Sequence, residues 1–274
     1  MKAVVYRSAR HLEVQRRAPE PPGPGQLRIA VAYTGICGTD FLGVDSPGAM
    51  QSSWTVPADL VVPLPDDLPL DRAALVEPVA VAVHDVRRGR VTDADQVVVV
   101  GGGPIGVLVA TVARHRGARV LLVEPDPFRR SVAAGVGIDA VDPADTDVVA
   151  LVDGRTDGAG ADVAFEVSGS AAGVDTAVDV LTTRGRLVMV AIHPQPRPVD
   201  LHRVFWRELE LLGARLYQRE DMVEAVRLVA SGVVPAGQLI SRVVPVEAAG
   251  SAFTAIEEGG GVLKVLLDWQ EADR

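Results

Sequence analysis

Residues 96–124 read QVVVVGGGPIGVLVATVARHRGARVLLVE, and this stretch decides the fold. It opens with four consecutive valines, 97–100, a run typical of a strand that is buried on both faces of a parallel sheet. A glycine-rich turn follows, then an apolar segment with helical spacing that stops at Gly117, then a second apolar run that ends on Glu124. The pattern predicts one strand–helix–strand unit of about 30 residues.

The turn in this unit has the spacing G-x-G-x-x-G, with glycines at 101, 103 and 106. In such a motif Gly101 allows the tight turn, Gly103 lets the backbone approach a pyrophosphate, and Gly106 lets helix and strand pack closely. The helix start, at Pro104 and Ile105, offers unpaired N–H groups and the positive end of the helix dipole to that phosphate. The motif alone is weak, and the alternative is a glycine turn that binds no dinucleotide.

The acid at the end of the second strand points to the cofactor. Glu124 follows the turn by about 20 residues, where a carboxylate accepts hydrogen bonds from the adenosine ribose. A carboxylate at this position repels a 2′-phosphate, which favours NAD(H) over NADP(H). Arg129 and Arg130 follow closely and keep NADP(H) as the alternative. Strand, spacing and acid together predict a dinucleotide-binding unit.

The composition narrows the class of protein. The chain has 274 residues, 48% of them hydrophobic, and a formal charge of −9, which argues against nucleic acid and anionic membranes as partners. Its one cysteine, Cys37, excludes internal disulfides. The N-terminus lacks an apolar core of signal-peptide length, and no run of about 18 apolar residues is present. These observations predict a soluble, cytoplasmic protein that binds a small molecule.

The rest of the chain predicts two kinds of structure. Residues 1–75 contain short strands separated by turns, which indicates a small, barrel-like β domain. Residues 97–217 alternate strands and helices, which indicates a doubly wound parallel sheet, and the β-containing tail is expected to return to the first domain. Outside the central unit, strands are predicted at 2–6, 12–15, 27–34, 61–64, 162–167, 186–191, 208–216, 239–246 and 263–268, and helices at 71–88 (restarting at Pro78), 174–181, 220–230 and 247–257.

Several stretches resemble the medium-chain, zinc-type alcohol dehydrogenase superfamily, in its branch of sorbitol, butanediol and threonine dehydrogenases. They are residues 1–6, GICGTD at 35–40, LVEPVAVAVH at 75–84, the glycine turn, FEVSG at 165–169, and 208–217. The resemblance implies a truncated GroES-like domain from residues 1–84 and 218–274, and a Rossmann domain over 85–217. It also implies a homodimer that pairs across strand 208–216.

The resemblance also implies roles for individual residues. Ser168 and Gly169, like Val190 and Ala191, stand at strand ends that face the nicotinamide in the family, and both pairs are intact here. Thr39 has the family's proton-relay hydroxyl position. Cys37 and Glu77 have zinc-ligand or near-ligand positions.

One departure from the family concerns the zinc. About 60 residues that follow the cysteine motif in relatives, the equivalent of several strands, have no counterpart here. That block carries the Gly-His-Glu zinc ligand and the structural-zinc lobe. Two ligands, Cys37 and Glu77, do not hold zinc tightly, and His84 and His193 are the replacements considered. We therefore expect no metal; the alternatives for Cys37, Glu77 and Asp40 are a buried hydrophobe, a helix cap and a turn residue.

These features predict an NAD(H)-dependent oxidoreductase that moves hydride between nicotinamide and an alcohol, carbonyl or imine carbon without zinc. A proton donor must then replace metal-bound water. Thr39 is the first candidate, and Asp40, Tyr33 and His193 are weaker ones. The alternative is a catalytically inactive nucleotide-binding homologue with a regulatory or scaffold role.

Overall fold

The computed structural model describes residues 1–8, 11–37, 48–259 and 261–270. The chain forms two compact units, one of Met1–Leu75 with Leu239–Arg274 and one of Val76–Gln238. The expected boundaries, after residue 84 and before residue 218, differ from these. The reason is that the helix at 76–88 packs against both the helix at 219–230 and the helix at 104–115, so that all three stay in the unit that contains the large parallel sheet.

The secondary structure alternates as the sequence indicates. The strands are β1 (Lys2–Ser8), β2 (His11–Arg16), β3 (Gln26–Ala30), β4 (Tyr33–Gly35), β5 (Ser53–Pro57), β6 (Gln96–Val100), β7 (Arg119–Val123), β8 (Asp139–Val141), β9 (Ala161–Glu166), β10 (Leu181–Met189), β11 (Glu210–Gly213), β12 (Ile240–Pro245) and β13 (Lys264–Asp268). The helices are α1 (Leu70–Ala73), α2 (Val76–Arg88), α3 (Pro104–His115), α4 (Pro127–Gly135), α5 (Val148–Arg155), α6 (Ala171–Asp179), α7 (Leu201–Trp206), α8 (Arg219–Ala230), α9 (Ala236–Leu239) and α10 (Ala249–Glu257).

The described residues of the first unit form small sheets rather than one closed barrel. β1 pairs with β2 and β3 with β5, both antiparallel, while β4 joins β13 and β12 in a three-stranded sheet. The pairing of β4 with β13 brings the two ends of the chain into one sheet. Trp269 is buried there, and its indole N–H donates to Thr34 Oγ1 at 2.8 Å.

Two strand predictions in this unit are wrong in detail. The predicted strand at 27–34 is two strands, because residues 31 and 32 leave the ladder. The predicted strand at 61–64 is irregular, and Ser53–Pro57 forms a strand instead. Pro63 and Pro65 explain the second error, since proline has no N–H to donate to a sheet.

The second unit is built on a six-stranded sheet in the order β11-β10-β9-β6-β7-β8, with every neighbouring pair parallel. This confirms the predicted doubly wound α/β class. Every residue of β6 is buried, as its unbroken valine run predicts. Helix α2 begins at Val76 and contains Pro78 in its first turn, where a missing N–H costs no helical hydrogen bond.

The edge of this sheet departs from the predicted spans. β10 begins at Leu181 rather than 186, and β11 covers four residues rather than 208–216. Glu208 and Leu216 have φ of 50° and 59°, a left-handed conformation that ends an extended strand on either side of β11. No helix in the described ranges is long and apolar enough to cross a bilayer.

Candidate cofactor site

Two glycines of the G-x-G-x-x-G turn are required by the backbone itself. Gly101 has φ +109°, and a Cβ there would lie 2.8 Å from the backbone nitrogen of Ser168. A Cβ on Gly106 would lie 1.8 Å from the carbonyl oxygen of Gly101, so that only glycine lets helix α3 approach the end of β6. Gly101 thus lets the turn lie against the β9–α6 connection, and Gly106 lets the helix lie against the turn.

Gly103 differs, because a Cβ there would meet nothing within 4 Å. It is the N-cap of α3 and, as a glycine, has no side chain that could cap the helix; Pro104 follows it at the helix start. The first N–H groups of a helix have no partner within the helix. The open space beside Gly103 and the start of α3 therefore fits a phosphate, which those groups attract.

Glu124 is held against the same turn. Its carboxylate is only 3% exposed and accepts from the N–H of Gly102 at 2.6 Å and from the N–H of Asp126 at 2.8 Å. A Cβ on Gly102 would lie 2.8 Å from Glu124 Cγ, so this contact also needs a glycine. A carboxylate accepts about four hydrogen bonds, which leaves capacity for ribose hydroxyls.

The two arginines after β7 behave differently from each other. Arg130 donates to the carbonyl oxygens of Glu124 and Pro125 and pairs with Asp142 at 2.8 Å, so it fixes the loop. The guanidinium of Arg129 lies 3.8 Å from Glu124 and is more exposed. Of the two, Arg129 is therefore the one whose guanidinium lies beside the Glu124 carboxylate, with no closer partner among the described residues of the loop.

The second half of the candidate site lies where β9 and β10 end. Ser168 and Gly169 follow β9, and Val190 and Ala191 follow β10. Because β9 and β10 are parallel neighbours, both pairs lie at the same edge of the sheet. The glycine turn is at this edge too, since β6 is also parallel to β9.

A buried acid, Glu166, connects these strand ends. Its Oε1 accepts from the N–H groups of Ser168 and Gly169 at 2.9 and 3.0 Å. Its Oε2 lies 2.9 Å from Nε2 of His193, whose side chain is 14% exposed. His193 thus borders the strand ends, as its sequence position indicates. It also lines a pocket of about 420 Å³ together with Val174, Met189, Pro194, Gln195, Pro196, Arg197, Val199 and Leu211.

The structure describes some of the predicted catalytic residues but not all of them. Thr39 and Asp40 lie outside the described residues. Cys37 is exposed in the first unit, so the alternative of a buried hydrophobe is wrong for it. Tyr33 belongs to the same unit, and burial together with Asp268 raises the pKa of its phenol. Glu77 lies in the first turn of α2 in the second unit.

Glu77 has a partner that the sequence did not suggest. The hydroxyl of Tyr217 is hydrogen-bonded to its carboxylate, and burial, together with that carboxylate, raises the pKa of Tyr217. This phenol therefore stays protonated and acts as a donor to Glu77. The two residues are far apart in the sequence, so no local pattern links them.

Among the residues that the structure describes, the side chains do not supply the ligands of a catalytic zinc. Within the described ranges, no three His, Cys, Asp or Glu side chains are grouped as metal ligands. The two histidines considered as replacements have other partners: Nδ1 of His84 lies 3.0 Å from Asp221, and His193 faces Glu166. A zinc site needs about three protein ligands around one point.

Sequence reasoning missed the role of Glu166. The sequence does place an acid at the carboxyl end of β9. Four other residues of that strand are buried, and all four are hydrophobic or small. Such an acid is buried at a cost unless partners satisfy it. The partners come from the next turn and from a residue 27 positions later, which the spacing alone does not reveal.

Known proteins resemble this chain in sequence and fold. The family model described as zinc-binding dehydrogenase matches residues 104–231. A 2-dehydro-3-deoxy-L-galactonate 5-dehydrogenase from Pseudoalteromonas atlantica is 47% identical, over 86% of this chain and 69% of that protein. An (R,R)-butanediol dehydrogenase from Neisseria gonorrhoeae is 35% identical, over 71% of this chain and 56% of that protein. The crystal structure of a 2R,3R-butanediol dehydrogenase from Bacillus subtilis matches with a TM-score of 0.89 at 25% identity, over 97% of this chain and 99% of that one.

Proposed function

The chain belongs to the zinc-binding dehydrogenase family of the medium-chain alcohol dehydrogenase superfamily, and we propose that it is an NAD(H)-dependent oxidoreductase. It would transfer hydride between nicotinamide and an alcohol or carbonyl carbon, with no catalytic zinc. The oxidoreductase class follows from the family. One observation supports the choice of cofactor most directly. The Glu124 carboxylate accepts the Gly102 N–H at 2.6 Å, beside the open space at Gly103.

The choice of NAD(H) over NADP(H) rests on charge. Glu124 is buried against the turn, and bringing a 2′-phosphate to it would place two negative groups together at low dielectric. Arg129 is near enough to offset part of that repulsion. One arginine at 3.8 Å from the carboxylate is already compensating Glu124, so the net charge beside the ribose does not favour a second anion.

The proposal of zinc independence rests on the donor set. The family model covers residues 104–231, which include neither Cys37 nor Glu77, so its name carries no information about these ligand positions. The sequence has no Gly-His-Glu. Without a metal, a side chain must hold the proton that the substrate oxygen gains or loses. Thr39 remains the first candidate by its position in the motif.

The substrate class follows from the relatives only as a starting point. The chain spans 69% of the first relative described above and 56% of the second, so their substrates are hypotheses here. The 47% identity makes a 2-dehydro-3-deoxy sugar acid the first compound to test, in the direction that oxidises a secondary alcohol. Vicinal diols such as butane-2,3-diol come next.

A homodimer through β11 completes the proposal. β11 is an edge strand, which presents unpaired N–H and C=O groups. Leu211 on this strand and the nearby helix α7 expose apolar side chains, Phe205 and Trp206 among them. Pairing with a second copy would cover both the strand edge and apolar surface.

The test combines binding, metal content and chemistry on one preparation. We expect NADH fluorescence titration to saturate at lower concentration than NADPH, and metal analysis to give well under one zinc per chain. Nicotinamide deuterated at C4 should then pass label to one compound of the substrate panel. Saturable binding without label transfer to any compound would favour the inactive nucleotide-binding alternative, and stoichiometric zinc would overturn metal independence.

A further inference from the structure

Glu166 is a fully buried carboxylate at the carboxyl end of β9. Its Oε1 accepts the N–H groups of Ser168 and Gly169 and also the hydroxyl of Ser168, at 2.9, 3.0 and 2.5 Å. Three donors on one oxygen fix the conformation of the β9–α6 turn. The same turn lies against the glycine turn, since the backbone nitrogen of Ser168 would be only 2.8 Å from a Cβ on Gly101.

The other atoms of Glu166 hold a second segment, the one that follows β10. Oε2 lies 2.9 Å from His193 Nε2, and the backbone carbonyl oxygen accepts the N–H groups of Val190 and Ala191, both at 3.0 Å. Residues 190–200 have no helix or strand of their own. Glu166 therefore forms hydrogen bonds to two irregular segments, one after β9 and one after β10.

The arrangement is demanding energetically. A buried carboxylate is tolerated only when its oxygens are hydrogen-bonded, because desolvation of an unpaired charge is costly. Removing His193 leaves Oε2 without the partner described here, and the segment 190–193 loses its side-chain tie to β9. A change at this single contact should move the strand ends while the adenosine end, at Glu124, keeps its own hydrogen bonds.

We propose that Glu166, held by His193, is the positioning residue for the nicotinamide half of the cofactor. It sets the β9–α6 turn and the segment after β10 in register with each other, and it does not take part in proton transfer. The inference rests on the proposed function, because the two segments matter in this way only if a dinucleotide binds along this edge. It separates the site into an adenosine half that depends on Glu124 and a nicotinamide half that depends on Glu166.

Two ligands distinguish these halves: NADH and ADP-ribose, which lacks nicotinamide. We expect His193→Ala to weaken NADH binding at least about tenfold, the scale of one lost hydrogen bond to a charged group, while ADP-ribose binding changes by less than about twofold. His193→Gln, which keeps an N–H donor, should restore part of the NADH affinity. Glu166→Gln keeps the shape without the charge and should raise the NADH-to-ADP-ribose ratio of Kd in the same direction.

The matched control is Asp95→Asn. Asp95 forms another largely buried pair, 2.9 Å from Arg186, but it precedes β6 and so lies at the opposite edge of the sheet. It should lower thermal stability as His193→Ala does and leave both dissociation constants unchanged. If the wild type binds neither ligand, the proposed function fails. If it binds both and the His193 and Glu166 variants weaken both alike, or neither, the positioning role is overturned; melting curves identify any variant that does not fold.

Discussion

The three glycines of the G-x-G-x-x-G turn differ in whether the fold itself requires them. Gly101 and Gly106 are fixed by backbone contacts that any side chain would break. Gly103 faces open space, so nothing in the folded chain alone explains it. The motif spacing predicted all three from the sequence, because the three requirements are local to one turn.

The glycine turn gives a paired prediction. Gly103→Ala should fold with a melting temperature within about 2 °C of the wild type, since its Cβ meets no atom, yet lose at least about tenfold in NADH affinity. Gly106→Ala should fold poorly or not at all, because its Cβ would overlap the Gly101 carbonyl at 1.8 Å. Thermal melts and NADH titration measure both effects. An alanine at 103 that binds NADH normally would contradict the phosphate assignment.

Asp85 is a second residue that its position in the fold makes unusual. It is buried in α2, both carboxylate oxygens lack a hydrogen-bond partner among the described residues, and burial, with a smaller effect of Asp221, raises its pKa to about 7. In the unfolded chain the pKa of an aspartate is about 3.9. Between those values the folded state keeps a proton that the unfolded state releases, so the free energy of unfolding falls as the pH rises toward 7.

We therefore expect Asp85→Ala to gain stability relative to the wild type as the pH rises from 4 to 8. Over this range, the free energy of unfolding of Asp85→Ala relative to that of the wild type should rise by at most on the order of 4 kcal/mol. The two pKa values of Asp85, folded and unfolded, differ by about three, and each unit corresponds to about 1.36 kcal/mol. Urea unfolding at several pH values measures it. The control is Asp175→Ala, which removes an exposed acid from α6. A difference independent of pH would contradict the raised pKa.

Elements were predictable where one periodicity runs through the whole element. The unit at 96–124 folds as its pattern indicates, because the valine run and apolar helix are each continuous. β10 was harder to predict, since residues 182–185, TTRG, interrupt its apolar pattern. Arg184 has φ 65°, and the register with β9 shifts between Leu181 and Arg186. The tie between Glu166 and His193 could not be predicted, because it joins the side chain of a strand residue to the side chain of a residue in the irregular segment after β10.

The contact between α2 and α8 supplies an element-scale prediction. Asp221 is buried in α8 and accepts from Arg87 and the Gln218 N–H at 2.9 and 2.8 Å, with His84 at 3.0 Å. Its removal leaves these groups partly unsatisfied. Asp221→Ala should cost about 3–5 kcal/mol in the free energy of unfolding.

A second α8 variant, measured by urea unfolding as well, tests whether the loss of any acid from this helix would have the same effect. Glu224 pairs with Arg227 at 2.8 Å, but Arg227 is exposed and Glu224 is partly exposed, so Glu224→Ala should cost less than about 1 kcal/mol. Equal losses in the two variants would mean that the Asp221 network does not hold α2 to α8.

At the scale of the whole molecule, the boundary between the units follows packing rather than motif. The resemblance placed the boundary after residue 84, which lies within α2. The structure keeps α2 and α8 with the parallel sheet and leaves the first unit as small sheets from both chain ends. Sequence patterns predicted the two-part architecture, but a boundary set by helix–helix contact needs the fold.

The last prediction concerns assembly. If a second copy pairs along β11, a charge at Leu211 would be buried without a partner at the centre of that contact and should separate the copies. We expect the wild type to be a dimer and Leu211→Glu a monomer by light scattering coupled to size exclusion, with little change in melting of the isolated fold, since the side chain is already 43% exposed. Leu27→Glu, at a comparable 46% exposure on β3, should remain dimeric. A monomeric wild type, or a Leu211→Glu variant that stays dimeric, would show that the edge strand is not the interface.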